Sequence, residues 1–116
     1  MLIENYRFGN VVVDGEPLNK DLMVIKGRLY KNWWRDQGHL VQLCDLDFVL
    51  DAKPHTLIVG TGSSGRLKIA DGLSRELGKR GIRLEAIPTE LAIMRFQELA
   101  DMEGEENIAL ALHLTC

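Results

Sequence analysis

The sequence predicts an α/β fold whose N-terminal half is rich in β-strands and whose C-terminal half is a parallel βαβαβ unit. Residues 1–31 contain short β-prone runs separated by tight-turn dipeptides. From residue 56 onward, apolar strand-like runs alternate with helix-periodic segments, a pattern that implies right-handed crossovers and a largely parallel sheet. The chain has 116 residues, which is the size of one domain. We therefore expect a single domain over residues 1–116.

The first part of the chain is expected to form strands joined by hairpin turns. Residues 11–13 are three valines, which favour β structure, and Asp14-Gly15 is a typical hairpin dipeptide. Residues 22–25 are apolar throughout and predict a buried strand, followed by a turn and a short partner strand at residues 28–30. This order predicts an antiparallel meander.

The middle of the chain, residues 32–44, fits no regular pattern. Trp33 and Trp34 are adjacent, so they cannot both face the same side of a strand. We expect one of them to pack in the core and the other to lie nearer the surface. Asp45 is predicted to cap a short helix that runs to about Val49.

The C-terminal half starts with a strand at residues 56–59, which leads into the glycine loop Gly60–Gly65. The next helix is predicted to start with Asp71 as N-cap and to end at Gly81, a residue suited to the position after a helix. A strand is then expected from Ile82 to Ile87.

The last helix is predicted over Glu90–Glu103, with Thr89 as N-cap and Gly104 after its end. Residues 108–114 then form an apolar strand, which we expect to be central because both of its faces are apolar. The apolar stripe of the helix comprises Leu91, Ala92, Phe96, Leu99 and Ala100.

Composition excludes several classes of function. The chain has 14 basic and 17 acidic residues and a formal charge of −3, which argues against nucleic-acid binding. Cys44 and Cys116 are far apart and suggest neither a disulfide framework nor a zinc site. We find no signal-peptide pattern and no apolar run long enough for membrane insertion, so a reducing, cytoplasmic setting is expected.

The glycine loop Gly60–Gly65 matches the G-x-G-x-x-G dinucleotide-binding fingerprint, and Glu85 lies where a ribose-binding acid would stand. That mechanism requires a helix to begin at the glycines, so that its N-terminus faces the pyrophosphate. Residues 66–69 instead alternate polar and apolar side chains, and the predicted helix starts only near Asp71. We therefore expect no cofactor, with the glycines serving tight turns. A weaker alternative stays open, in which free N–H groups of the loop hold an anion.

No catalytic or metal constellation is visible. The three histidines, His39, His55 and His113, and the two cysteines have none of the spacings of a zinc site. Cys116 is not expected to be a catalytic thiol, and no G-x-S-x-G motif is present. The sequence therefore predicts neither catalytic residues nor metal ligands.

Short motifs spread along the whole chain have an order and spacing more specific than any one of them. They are Tyr6-x-Phe8-Gly9, Val13-x-Gly15, Asp21, Trp34-Arg35-x-x-Gly38-His39, Asp45-Leu46, Gly60-Thr61-Gly62, Gly81-Ile82, Thr89-x-x-Ala92, Phe96, Leu99 and Ala111-x-His113-x-Thr115-Cys116. In these residues the chain resembles a family of small conserved proteins that includes the adipogenesis-associated domain protein, mitochondrial complex I assembly factor three and many uncharacterised bacterial members. Gln97 departs from the pattern, since the family usually has Asn there.

The resemblance implies a three-layer α/β fold with a mixed central sheet and an added β layer. It implies no reaction, because the family has no agreed catalytic activity. One relative acts in the assembly of respiratory complex I, which suggests a protein-binding role, although fold alone does not determine function.

Our leading hypothesis is a non-enzymatic cytoplasmic interaction or assembly module that binds a protein partner, with a homo-oligomer left open. Trp33, Trp34 and Arg35 are the candidate partner surface, because Trp and Arg are enriched at binding hot spots.

The second hypothesis is a small-anion or metabolite pocket at the glycine loop, which could support an enzyme. Open α/β sheets bind ligands at the C-terminal ends of their strands, where Thr61, Gly62 and Thr89 fall. Arg35, His39 and His113 could converge there; Arg would clamp an anion and His would supply acid–base capacity.

Overall fold

The computed structural model describes residues 1–116 and contains ten strands and three α-helices. The strands are β1 Ile3–Arg7, β2 Asn10–Val13, β3 Glu16–Leu18, β4 Leu22–Ile25, β5 Arg28–Lys31, β6 Leu40–Val41, β7 Thr56–Thr61, β8 Lys68–Ile69, β9 Arg83–Ile87 and β10 Ile108–His113. The helices are α1 Asp47–Ala52, α2 Leu73–Lys79 and α3 Thr89–Glu103, and a 3₁₀ turn spans Leu43–Asp45. None of the helices has the length and apolar character needed to span a lipid bilayer.

The central layer is a five-stranded mixed sheet with the strand order β5-β4-β10-β7-β9. Strands β10, β7 and β9 are parallel to one another, whereas β4 is antiparallel to β10 and to β5. All six residues of β10 are buried, as its apolar character on both faces predicts. The predicted mixed sheet with a parallel βαβαβ half is therefore confirmed.

Two further layers cover the faces of this sheet. On one face lie α3 and a three-stranded antiparallel sheet of β1, β2 and β3, which enclose Phe96, Leu110 and Leu112 in a common core. On the other face lie α1 and α2, and the second core includes Leu57, Val59 and Ala111. Successive strand residues serve opposite cores because side chains alternate along a strand. The three-layer arrangement expected from the family resemblance is confirmed.

The N-terminal strands divide between two sheets, which the predicted single meander did not anticipate. Strands β1 to β3 form the meander, but the hairpin of β4 and β5 pairs with β10 and joins the central sheet. The two predicted hairpin turns are present: Asp14 and Lys26 have positive φ values of 48° and 52°, and each precedes a glycine with positive φ.

Several predicted element ends were wrong by a few residues. Strand β7 continues to Thr61 rather than ending at Val59, because Gly60 and Thr61 pair with Leu112 and His113 of β10. Helix α2 ends at Lys79, and its N-cap is Gly72 rather than Asp71.

Asp45 is not the N-cap of α1; it lies in the preceding 3₁₀ turn, and Leu46 takes the cap position. Its carboxylate instead accepts hydrogen bonds from the N–H groups of Gln42 at 2.8 Å and Asp36 at 2.9 Å. Asp45 therefore shapes the irregular segment that precedes the helix.

Helix α3 begins at Thr89 itself, with Pro88 as N-cap, so the predicted capping role of Thr89 was wrong. The predicted apolar stripe also included Leu91, which is 51% exposed, while Ile93 is buried in its place. Gly104 follows the end of the helix as predicted.

Candidate functional site

Three charged or titratable side chains converge at one end of the central sheet. Asp21 Oδ2 lies 2.8 Å from Arg35 Nη2 and 2.8 Å from His113 Nδ1. The sheet order explains this meeting. Strand β10 ends at His113, and antiparallel β4 begins beside that end. Asp21, which precedes β4, therefore lies at the same end of the sheet, where β5 also ends. Arg35 follows β5 and completes the cluster.

Asp21 is the central acceptor of the cluster. Its Oδ1 accepts the Leu114 N–H at 2.8 Å, while Oδ2 accepts from Arg35 and His113. Burial alone raises the pKa of Asp21, but hydrogen bonds from His113, from the Leu114 N–H and from Arg35 outweigh it, so the pKa lies below its usual value. The carboxylate is thus kept ionised.

The contact of His113 with Asp21 assigns a proton to its Nδ1. An ionised carboxylate only accepts hydrogen bonds, so Nδ1 of His113 carries the proton that is donated to Asp21. The Thr115 hydroxyl lies 3.4 Å from Nε2, and Arg35 Nη2 lies 3.2 Å from Nδ1. The ring of His39 meets that of His113 edge-to-face, with 6.2 Å between centroids. Orientation of a histidine by a carboxylate is an arrangement suited to proton transfer.

Arg35 is held rigidly although it belongs to a loop. Its Nε donates to the Gly38 carbonyl at 3.0 Å, and its guanidinium carbon lies 4.6 Å from the centroid of the Trp33 ring. The side chain is only 6% exposed, and Nη1 is buried without a hydrogen-bond partner. One donor of a fixed cation is therefore unused.

Hydrogen bonds beside this cluster fix the backbone around Thr61, Gly62 and Thr89. The Thr89 hydroxyl accepts the Gly62 N–H at 2.8 Å and donates to the His113 carbonyl at 2.6 Å. The Thr61 carbonyl accepts the Leu67 N–H at 3.0 Å. These bonds join β7, α3 and β10 at their ends and use the Thr89 hydroxyl, the Gly62 N–H and the Thr61 carbonyl.

Several N–H groups in and beside the glycine loop bond to the protein itself. The Ser63 N–H donates to the Thr115 carbonyl at 2.7 Å, the Gly65 N–H donates to the Gly62 carbonyl, and the N–H of Arg66, which follows the loop, donates to the Cys116 oxygen at 3.1 Å. Helix α2 begins only at Leu73, so the prediction that no helix starts at the glycines is confirmed. The helix that follows the loop in the chain therefore does not direct its N-terminus at the glycines, as the dinucleotide-binding fingerprint requires.

The two tryptophans differ sharply in exposure. Trp33 is 6% exposed, and its Nε1 donates to the Asp45 carbonyl at 3.0 Å. Trp34 is 87% exposed. The prediction that one packs and the other lies at the surface is confirmed. Because Trp33 and the side chain of Arg35 are each only 6% exposed, Trp34 is the candidate partner residue that presents its side chain to solvent.

Two open clefts flank Trp34. The Arg35 cleft, of about 600 Å³, is lined by Asn19, Lys20, Asp21, Asn32, Trp33, Trp34, Arg35, Asp36 and Gly38. The Trp34 groove, of about 470 Å³, is lined by Met23, Tyr30, Lys31, Asn32, Trp33, Trp34, Cys44, Asp45, Asp47 and Phe48. Neither cleft includes the glycine loop.

Asp21 and Phe48 are among the site residues that the sequence did not mark as functional, although Asp21 is one of the family motif residues. The position of Asp21 immediately before a buried strand was a usable signal, but its meaning depends on β4 being antiparallel in the central sheet. Phe48 sits on a short helix and stacks on Tyr30 with 5.1 Å between ring centroids. No periodic pattern marks that pair.

A mixed five-stranded sheet with a β layer on one face and short helices on the other defines the class of protein: a small three-layer α/β domain. The family profile described as "Protein of unknown function (DUF498/DUF598)" matches residues 3–113, and the chain belongs to this family. The resemblance inferred from the scattered motifs is thereby confirmed.

Solved structures share this fold over nearly the whole chain. The crystal structure of conserved hypothetical protein PH1505 from Pyrococcus horikoshii matches with a TM-score of 0.81 and 26% identity, covering 100% of both chains. MT938 matches with a TM-score of 0.79 and 25% identity over 99% of this chain and 98% of its own. A Bordetella pertussis protein described as a Mth938-like domain has a TM-score of 0.70 and 17% identity over 97% of this chain and 84% of its own.

Proposed function

We propose that this protein is a cytoplasmic, non-enzymatic interaction or assembly module and that Trp34 is the centre of its partner surface. The observation that carries the proposal is the exposure of Trp34, whose side chain is 87% accessible beside an open groove. Tryptophan is the residue most enriched among binding hot spots, where its large apolar surface becomes buried on association. An exposed indole at the mouth of a groove is suited to that role.

The backbone at Trp34 is held in place by the hydrogen bonds of its two neighbours. Trp33 is buried and bonded to the Asp45 carbonyl, and Arg35 is bonded to Gly38 and Asp21. The residues on both sides of Trp34 are therefore anchored, so little backbone entropy is lost when a partner covers the indole. The stacked rings of Tyr30 and Phe48 form another aromatic wall of the Trp34 groove.

The charges near the groove indicate the chemistry of the partner. Asp47 lines the groove and Asp36 lines the adjoining Arg35 cleft, and both are exposed. Lys31 also lines the groove, but it pairs with Glu16. The partner expected here is a protein that presents an apolar side chain flanked by basic residues.

The experiment is site-specific photo-crosslinking in cells, with a photoreactive amino acid replacing Asp47. We expect one discrete cross-linked partner, because position 47 borders the groove. Adding Trp34→Ala should abolish the cross-link. The free energy of unfolding should change by no more than about 0.5 kcal/mol, since the side chain is almost fully exposed.

A matched control places the same photoreactive residue at Arg83, an exposed position on the edge strand β9. It should yield no discrete product. A cross-link at position 47 that persists in the Trp34→Ala variant would contradict the proposal, and so would equal labelling at both positions. A product of twice the chain mass would identify a second copy instead of a different protein.

A further inference from the structure

The Arg35 cleft has the dimensions of a small-molecule site. Its volume of about 600 Å³ falls within the range of roughly 300–1,000 Å³ typical of ligand pockets. Its walls combine the apolar rings of Trp33 and Trp34 with the polar side chains of Asn19, Lys20 and Asn32. Only the two tryptophans among the nine lining residues are hydrophobic, so the cleft suits a ligand that carries a charged group beside its apolar part.

The unused donor of Arg35 indicates what the cleft would bind. Nε and Nη2 are bonded to Gly38 and Asp21, but Nη1 has no partner although the side chain is only 6% exposed. A buried polar group without a partner is unfavourable, and an acceptor atom relieves that cost. The guanidinium is also clamped over Trp33, so its direction is set before a ligand arrives.

The charge balance favours one negative charge over two. Arg35 already faces Asp21, and Asp36 also lines the cleft, so Lys20 and Arg35 are opposed by two carboxylates. Since these four charges cancel, a dianion such as a phosphate monoester would leave two uncompensated negative charges in the cleft, whereas a monoanion leaves one. A single carboxylate needs only the remaining donor of Arg35 and the Lys20 ammonium, which lies on an exposed residue.

We propose that the Arg35 cleft binds a small monocarboxylate with an aromatic or apolar tail. The carboxylate accepts from Arg35 Nη1 and from Lys20, and the tail packs on the Trp34 indole. Because Nη1 is closed to solvent in this conformation, binding requires side chains at the cleft to turn aside. Lys20 and Trp34 are exposed and have the rotamer freedom to do so.

The test is an NMR titration of the full chain labelled with ¹⁵N, with benzoate as probe. The chain has two tryptophans and hence two indole N–H resonances, which the Trp34→Phe variant assigns. Benzoate should shift the Trp33 indole resonance saturably at millimolar concentration, because that ring stacks on Arg35. Benzamide, a neutral analogue of the same shape, should cause no saturable shift, and phenyl phosphate should bind more weakly than benzoate.

Variants identify the groups that hold the carboxylate. Lys20→Gln should weaken benzoate binding roughly two- to fivefold, as expected for the loss of one exposed charge. Arg35→Gln should weaken it roughly tenfold or more, as for the loss of a charged donor. Lys79→Gln, an exposed lysine at the end of α2 outside the cleft, is the matched control and should bind as the wild type does.

Three results would overturn the proposal: no saturable shift with benzoate, equal shifts with benzamide, or unchanged affinity in both cleft variants. If Arg35→Gln fails to fold by circular dichroism, the comparison of benzoate with benzamide and the Lys20→Gln variant decide the question. Failure here leaves the partner surface at Trp34 intact, because that proposal rests on cross-linking at position 47 of the neighbouring groove.

Discussion

At the scale of single residues, Asp21 holds the candidate site together. Its two carboxylate oxygens accept three hydrogen bonds, from Arg35, His113 and the Leu114 N–H, and so connect the segments that follow β3, β5 and β10. Removing its charge leaves the Arg35 guanidinium buried without a counter-charge. A group in this position contributes to stability only while it is ionised.

Asp21→Asn is therefore expected to lower the free energy of unfolding at neutral pH by about 2 kcal/mol or more. The pKa of Asp21 is depressed in the folded state, so its contribution is present above the unfolded-state value of about 4 and is lost as the pH falls through the folded-state pKa. The difference between wild type and variant should shrink on acidification. Urea denaturation across a pH series measures it.

The control for this prediction is Asp71→Asn, which changes the charge of an exposed residue before α2. It should have little effect at any pH. A difference between wild type and Asp21→Asn that stayed constant from neutral to strongly acidic pH would show that packing, and not the ionised carboxylate, stabilises this site.

At the scale of elements, the backbone that leads from β7 into the glycine loop packs directly on the backbone of Thr115 and Cys116. Gly62 has φ +102°, and a Cβ there would lie 2.7 Å from the Cys116 carbonyl group and the Thr115 oxygen. Gly62→Ala is therefore expected to cost about 2–4 kcal/mol through strain and overpacking. Thermal or urea unfolding measures the loss.

Gly78→Ala is the matched substitution within α2, where an added Cβ meets no atom within 4 Å. It should leave stability unchanged or raise it by up to about 1 kcal/mol, because alanine favours a helix. Equal stabilities of the two variants would refute the view that the loop glycines serve close backbone approach.

Local patterns predicted most elements but not the ends that depend on distant partners. The apolar residues 108–114 indicated a buried central strand, which ends one residue earlier at His113, and the Asp14-Gly15 dipeptide indicated its turn, because each depends on the local chain. The ladder to β10 that draws Gly60 and Thr61 into β7 is a contact between residues about fifty positions apart. The residues next to Gly60 and Thr61 in the sequence therefore give no indication that β7 extends through them.

The same limit applies to the site. The rule that ligands gather at the C-terminal ends of parallel strands brought Arg35, His39 and His113 into one hypothesis, and the structure places all three near one another. Asp21 was missed because its place in the cluster follows only from the antiparallel insertion of β4 beside β10. A threonine before a helix usually caps it, which is why the sequence predicts a cap at Thr89. Its hydroxyl instead donates to the His113 carbonyl and accepts the Gly62 N–H.

At the scale of the whole molecule, β10 joins the two hydrophobic cores. Its residues contribute alternately to the core under α3 and to the core under α1 and α2, and each core contains 14 buried residues. It is also paired on both sides, with β4 and β7. Loss of β10 would therefore expose both cores at once, which makes it part of the global unfolding unit.

We expect hydrogen exchange followed by mass spectrometry to show the slowest exchange in peptides that cover residues 108–113, at a rate set by global unfolding. Peptides that cover β6 and β8 should exchange much faster, because these two-residue strands form a separate two-stranded sheet outside the central one. The meander of β1 to β3 should lie between these extremes, since only part of it is covered by α3. Equal protection of β10 and of the β6–β8 pair would contradict the assignment, because the two would then open in the same step.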